Sequence, residues 1–199
     1  MYPMGDVLRY RPPRAREETT AYVGMVIFLA SWAMMFAALF FAYGYVRSRA
    51  AVWPPADLPL LPVLLPLLNT AVLGGSSAAL QLGGWWIARG EVHRLVWALG
   101  VAVVLGALFL ALQVVLWSNV YGQGLRPSTG GPYGSVFYGL TCFHALHVLV
   151  GLGGLSWLWR QASVGLLSAA RHLPLRLWTM YWHFVGVVWA LMLVTMFLI

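Results

Sequence analysis

This 199-residue sequence contains very little charge. Only 9% of its residues are charged and 61% are hydrophobic, whereas ordinary globular chains are about 25% charged. Five acidic and twelve basic residues are too few to cover a folded chain of this length with a water-exposed surface. The composition therefore excludes an ordinary soluble protein and predicts an integral membrane protein.

Lysine is absent, and all twelve basic residues are arginine. Without lysine no retinal Schiff base can form. All five acids lie outside the long apolar runs, which argues against an intramembrane proton relay or an ion-coupled transporter. The arginines lie between apolar runs rather than in one cluster, so nucleic acid is not expected as a partner. The acids are Asp6, Glu17, Glu18, Asp57 and Glu91.

Cysteine is nearly absent as well, since Cys142 is the single one and lies within an apolar run. An intramolecular disulfide is therefore excluded, and no Cys-x-x-Cys pair exists for zinc, iron–sulfur or haem attachment. Our interpretation of Cys142 is a small, buried hydrophobic side chain.

Five apolar stretches are long enough to cross a bilayer, which takes about 20 residues of helix. None of them contains Asp, Glu, Lys or Arg. We predict an all-α integral membrane fold, in which residues 21–199 form a bundle of five transmembrane helices and residues 1–20 form a polar cytoplasmic tail. The stretches are residues 21–46, 62–88, 95–117, 136–159 and 177–199.

The distribution of arginine predicts the orientation of this bundle. With the N-terminus in the cytoplasm, nine arginines fall in cytoplasmic segments and three in outer segments, Arg47, Arg49 and Arg126. The positive-inside rule requires such an excess on the cytoplasmic side. We therefore expect a multi-pass protein with its N-terminus in the cytoplasm and its C-terminus outside.

Two segments stand out by their content of small residues or proline. Residues 74–79 read Gly-Gly-Ser-Ser-Ala-Ala, a composition that lets helices approach closely in lipid. Residues 118–135 are rich in glycine and proline and are predicted to form an irregular outer loop.

Three histidines, His144, His147 and His183, are the only ionisable side chains within the predicted spans. Such groups are costly in a membrane and are functional candidates. A haem held by two histidines needs both at the same depth, yet His147 and His183 differ by about 7 Å on the helical rise. His144 and His147 share a helix face but lack a third metal ligand. We favour structural hydrogen bonding, with haem ligation and a lipid or proton-surface role as the alternatives.

Four segments resemble the cytochrome c oxidase subunit III family. Residues 137–148 are similar to its Phe-His-Gly-Leu-His-Val segment, and residues 181–189 to its Tyr-Trp-His-Phe-Val-Asp-Val-Val-Trp segment. Residues 69–77 resemble its Asn-Thr…Ser-Ser helix, and residues 24–43 its first shared helix. The segments follow the family's order across residues 21–199, and a five-helix form resembles the shorter bacterial members.

The resemblance implies a subunit of a haem–copper terminal oxidase, which reduces dioxygen to water and pumps protons in aerobic respiration. Members of this family pack on subunit I, hold phospholipid, and support proton uptake and stable turnover. The resemblance therefore implies a non-catalytic subunit with no catalytic, cofactor-binding or metal-binding residue of its own. Haem and copper are expected in partner subunits, and bound phospholipid is expected in this one.

Subunit I is the main partner that the resemblance implies, and subunit II is the second. Small subunits and a respiratory supercomplex are further candidates. The expected location is a bacterial inner (plasma) membrane. Within this chain, we expect the first two helices to form much of the contact with subunit I.

Two positions depart from the family pattern. Trp32 stands where the family usually has Glu, and Gly186 where it usually has Asp, so both intramembrane acids are missing. Our interpretation of Trp32 is a packing contact. The residues expected to act in structure, lipid binding or subunit contact are Trp32, Asn69, Gly75, Ser77, His144, His147, Tyr181, Trp182, His183 and Trp189.

Two other functions stay open at this point. One is an accessory subunit associated with nitric oxide reductase, because similar proteins occur there and the missing acids indicate a divergent member. The other, less favoured, is a haem b membrane anchor with its haem between the fourth and fifth helices.

Overall fold

The computed structural model describes residues 15–55, 58–128 and 130–198. A π-helical turn, Leu193–Leu198, continues the last helix. Within the described ranges the only extended pairing is a single bridge between Ser168 and Arg171. The predicted all-helical fold is therefore confirmed. The described residues form five long helices: α1 (Ala15–Arg49), α2 (Leu64–Ala88), α3 (Val92–Gly122), α4 (Gly131–Ser163) and α5 (Leu173–Met192).

Four of the five helices, α1, α3, α4 and α5 with its π-helical turn, are long and apolar enough to cross a membrane. Helix α2 is 25 residues long and carries no charged side chain. Its Asn69, Thr70, Gln81 and small residues lower its mean hydropathy. A bundle with membrane-spanning helices is thus confirmed, and the fifth crossing stays a prediction.

The helices extend beyond the apolar runs. Helix α1 begins at Ala15, and its first turn carries two acids, which favour the positive end of a helix dipole. Helix α3 continues to Gly122 and α4 begins at Gly131, so the irregular loop predicted for residues 118–135 was wrong in its extent. Residues 1–14 of the predicted polar tail lie outside the described residues.

Helices α2 to α5 form an antiparallel core in which α5 packs on both α4 and α2. Helix α1 packs on α4 and α5 and runs parallel to α5. At one end of this pair, the Tyr43 hydroxyl donates to the carbonyl of Thr195 at 2.9 Å. At the other end, Arg176 donates to the hydroxyl of Tyr22 at 3.3 Å. The chain thus places its first and last helices side by side.

Consecutive helices run in opposite directions, so the described arginines near the helix ends lie at two separate ends of the bundle. Arg47, Arg49 and Arg126 lie at one end. We refer to the opposite end, where α2 meets α3 and α4 meets α5, as the arginine-rich end. It holds Arg16, Arg89, Arg94, Arg160, Arg171 and Arg176.

Cys142 is exposed on the surface of α4, so its interpretation as a buried side chain was wrong. The buried face of α4 at this level runs through Leu140, Thr141 and His144. Residue 142 follows Thr141 by one position and therefore lies about 100° around the helix axis, away from that face.

The small-residue segment 74–79 packs closely on α3 at Ser76, which is completely buried and donates to the carbonyl of Ala102 at 2.9 Å. A Cβ at Gly74 would meet no atom within 4 Å, and one at Gly75 would make only an ordinary contact with Leu105. A second close approach of α2 to α3 occurs at Gly83, where a Cβ would lie 3.0 Å from the side chain of Leu95. Gly74 and Gly75 therefore face outward.

Candidate functional site in the bundle interior

His147 joins three helices. Its ring centroid lies 4.2 Å from that of Trp32 on α1, at an interplanar angle of 82°. Its Nδ1 lies 2.6 Å from the carbonyl oxygen of Phe143 and therefore carries the donated proton, because a carbonyl only accepts. Its own carbonyl accepts a hydrogen bond from the Tyr181 hydroxyl of α5 at 3.0 Å. Trp32 thus packs edge-on against this imidazole.

His144 lies one turn earlier on α4 and is only 1% exposed. Its ring lies 5.4 Å from Trp189, 5.9 Å from Phe109 and 6.4 Å from Phe36, measured between centroids. These three neighbours belong to α5, α3 and α1. His144 is therefore the aromatic centre at which four helices meet.

Two tryptophans of α5 attach that helix to α2 by hydrogen bonds. The indole of Trp182 donates to the hydroxyl of Ser76 at 3.1 Å, and Ser76 donates onward to the carbonyl of Ala102 at 2.9 Å. The indole of Trp189 donates to the hydroxyl of Thr70 at 2.9 Å. Both bonds satisfy polar groups in a region without water, where unpaired groups cost several kcal/mol.

The ring of Trp182 fits between two glycines. A Cβ at Gly106 on α3 would lie 2.9 Å from the indole, and a Cβ at Gly151 on α4 would lie 2.8 Å from it. The side chain is completely buried. These two glycines therefore provide the close approach that small residues allow between membrane helices.

Asn69 is completely buried and bonds to Gln113 of α3, whose Oε1 accepts from its Nδ2 at 3.4 Å. Gln113 is 1% exposed. Gln113 is not among the residues predicted from the sequence, because it is not ionisable. The sequence nevertheless indicates that Gln113 is a candidate, because it is the single amide side chain within the apolar run of residues 95–117.

The other predicted residues lie apart from this interior group. His183 places its Nε2 3.4 Å from Oε1 of Gln81 on α2, whereas His147 contacts α1. The two histidines therefore face different helices and share no position for a haem iron. Within the described ranges, no group of three or more His, Cys, Asp or Glu side chains could hold a metal ion. Gly75 and Ser77 lie towards the outer side of α2.

Comparison with protein families supplies the decisive observation. A family model described as cytochrome c oxidase subunit III matches residues 17–199. The chain belongs to the cytochrome c oxidase subunit III family. It is thus a member of a family of membrane subunits of haem–copper oxidases, and the resemblance inferred from its motifs is confirmed.

Individual relatives agree with this assignment. The cytochrome c oxidase subunit 3 of Synechocystis sp. is 36% identical over 177 residues, which cover 88% of this chain and 74% of that protein. The subunit 3 of Thermostichus vulcanus is 32% identical, covering 89% and 86%. The probable cytochrome c oxidase subunit 3 of Nocardia farcinica is 32% identical, covering 98% and 96%.

Gly186, the second position expected to depart from the subunit III family pattern, is half-buried on the side of α5 that faces α2. Gly186 borders a hollow of about 310 Å³ between α2 and α5, which Ser77 and His183 also line. A Cβ at Gly186 would lie 3.7 Å from the hydroxyl oxygen of Ser77. The absence of a side chain at Gly186 therefore leaves this hollow open beside His183.

Proposed function

We propose that this chain is the non-catalytic subunit III of a proton-pumping haem–copper terminal oxidase in the aerobic respiratory chain of a bacterial inner membrane. The observation that carries the proposal is the family match across residues 17–199, which spans every helix of the bundle. The chain packs on subunit I, holds phospholipid, and supports proton uptake and stable turnover. Haem and copper belong to partner subunits, and subunit II and small subunits complete the complex.

The proposed topology has five crossings, a cytoplasmic N-terminus and an outer C-terminus. Among the described residues, six arginines lie at the arginine-rich end and three at the other, and the positive-inside rule assigns the richer end to the cytoplasm. Helix α2 pairs with α3 along its length, from Asn69 opposite Gln113 to Gly83 opposite Leu95. This pairing supports α2 as the fifth crossing helix.

Helix α1 supplies much of the surface proposed for subunit I. Its buried apolar side chains are Phe36 and Tyr43, whereas Ile27, Met34 and Phe41 are 65%, 76% and 77% exposed. Lipid gives no hydrophobic driving force for helix association, so membrane helices are held by side-chain packing and hydrogen bonds. An α1 with so few contacts in its own chain is suited to further packing on another subunit.

Co-purification tests the proposal. The tagged chain would be extracted from native membranes in a mild detergent, and the chains that accompany it identified by mass spectrometry. We expect a large polytopic haem–copper subunit and a subunit II with a copper domain. Recovery with nitric oxide reductase subunits would overturn the proposal, and so would an isolated chain with its own haem α band in a reduced-minus-oxidised spectrum.

A further inference from the structure

Four buried ring nitrogens of α1 and α4 have no hydrogen-bond partner in the described part of the chain. They are Nε1 of Trp32, Nε2 of His147 and both ring nitrogens of His144. His144 and His147 are only 1% and 4% exposed. Unpaired polar groups are costly at membrane depth, and buried polar groups that lack a protein partner are commonly satisfied by ordered water.

These nitrogens belong to one region of the bundle interior. Trp32 lies near the middle of the 35-residue α1 and His147 near the middle of the 33-residue α4, and their ring centroids are 4.2 Å apart. The ring of Phe36, one turn after Trp32, lies 5.1 Å from His147 and 6.4 Å from His144. The region is therefore shared by the two helices and lies far from both ends of the bundle.

The hydrogen-bonding roles of these nitrogens are complementary. The indole nitrogen of Trp32 only donates. His147 uses its Nδ1 proton for the carbonyl of Phe143 at 2.6 Å, so Nε2 of the neutral ring is an acceptor, and a neutral His144 has one donor and one acceptor. The apolar runs contain no acid that would pair with an imidazolium. The region thus offers two donors and two acceptors, and a buried water typically makes two to four hydrogen bonds.

Trp32 differs in this respect from the tryptophans of α5. The indoles of Trp182 and Trp189 donate to the hydroxyls of Ser76 and Thr70. Trp32 instead meets the imidazole of His147 edge-on, at an interplanar angle of 82°, and makes no direct hydrogen bond to it. A donor and an acceptor on two contacting rings therefore need a third group to connect them.

We propose that one ordered water molecule is bound between α1 and α4. It accepts a hydrogen bond from the Trp32 indole and donates one to Nε2 of His147, and its second proton and second lone pair face the ring nitrogens of His144. The water joins α1 to α4 midway between the hydrogen bonds of Tyr22 and Tyr43 at the two ends of α1. The site goes beyond the proposed function and does not depend on it, because all of its protein groups belong to this chain.

High-resolution cryo-electron microscopy of the purified complex tests the site. We expect a density peak about 3 Å from both Nε1 of Trp32 and Nε2 of His147. Trp32→Phe keeps an aromatic ring and removes the donor, so the peak should be lost. Trp157→Phe is the matched control, because it makes the same substitution at an exposed position of α4, and it should keep the peak.

NMR of the full chain with isotope-labelled tryptophan gives a second readout. The indole N–H of Trp32 should show magnetisation transfer from water, in a cross-peak assigned by its loss in Trp32→Phe. The buried indole of Trp182 donates to Ser76 and should show no such transfer.

A His147→Asn variant keeps the test decisive if Trp32→Phe does not fold. The asparagine amide can still donate to the carbonyl of Phe143 but removes the acceptor that His147 provides at Nε2. We expect this variant to lose both the density peak and the transfer from water to Trp32.

Three results would overturn the proposal. They are a direct hydrogen bond from the Trp32 indole to His147 without a density peak between them, a peak that persists in Trp32→Phe, and a Trp32 indole that receives no magnetisation from water. The proposed function fails by a different outcome, namely purification of the chain without oxidase subunits. The NMR measurement on the full isolated chain then still decides whether the water is bound.

Discussion

At the scale of single residues, indole groups connect the helices of this bundle. Trp117, Trp182 and Trp189 each donate a hydrogen bond from the ring nitrogen to a hydroxyl on a neighbouring helix, at 2.9 to 3.1 Å. An indole buries a large apolar surface and also needs a partner for its N–H. Each of these side chains therefore specifies both the spacing and the register of two helices.

Trp182→Phe tests this role. The substitution removes the donor to Ser76 and leaves space between Gly106 and Gly151, so we expect the free energy of unfolding to fall by about 1–3 kcal/mol. Trp157→Phe is the control, because Trp157 is 47% exposed on α4 and should change stability by less than about 0.5 kcal/mol. Thermal unfolding of both variants in one detergent gives the comparison, and equal shifts would contradict the assigned role.

Gly106→Ala tests the close approach of α3 to α5. The added methyl group would lie 2.9 Å from the indole of Trp182, and relieving that contact should cost about 1–3 kcal/mol. Gly139→Ala on α4 would meet no atom within 4 Å and should gain about 0.5–1 kcal/mol from helix propensity. Opposite shifts in melting temperature are expected, and a stable Gly106→Ala would show that the indole moves freely.

At the scale of helices, α5 is the central connector of the bundle. It contacts α4 and α2 extensively and also touches α1. The hydroxyl of Tyr43 on α1 donates to the carbonyl of Thr195 within the π-helical turn that continues α5. Helices α1 and α2, by contrast, keep apolar faces outside the chain, which is the arrangement expected of elements that dock on another subunit.

Gly74→Leu tests the docking of α2. Since a side chain at Gly74 would meet no atom of this chain within 4 Å, the variant should fold normally yet lose subunit I during purification. Gly153→Leu on α4 is the matched control, because that position is equally open. Subunit I retained at full stoichiometry by Gly74→Leu would place the interface elsewhere, and its loss from both variants would show a general defect of assembly.

At the scale of the whole molecule, the alternation of helix direction gives the two ends different charges. The exposed Ser163 lies at the arginine-rich end of α4, and the exposed Gln123 follows α3 at the opposite end. A bundle with five crossings places these two positions on opposite sides of the membrane. The sides can therefore be read from the reactivity of a thiol at each position.

Thiol labelling tests this topology in a Cys142→Ala background. We expect a membrane-impermeant maleimide to label Gln123→Cys in intact spheroplasts and to label Ser163→Cys only after permeabilisation. The reverse pattern would contradict the proposed orientation. Labelling of both positions from one side would contradict the alternation of crossings between α3 and α4.

Much of this architecture could be predicted from the sequence. The scarcity of charge excludes a water-exposed surface, and uninterrupted apolar runs in a membrane form helices, because helices satisfy every backbone hydrogen bond internally. The motifs around His144 and His183 identified the family. Cys142 was placed on the wrong face, because α4 is apolar on nearly all sides and its sequence gives little indication of which side packs inward.

Only the tertiary structure decided which of the candidate residues meet. It placed His147 against Trp32, enclosed Trp182 between Gly106 and Gly151, and paired His183 with Gln81. Such contacts depend on the rotation and register of each helix. In a soluble helix an apolar stripe encodes the rotation, but a membrane helix that is apolar all round has no such stripe. Sequence therefore determined that these helices form and to which family they belong, whereas packing determined how they face one another.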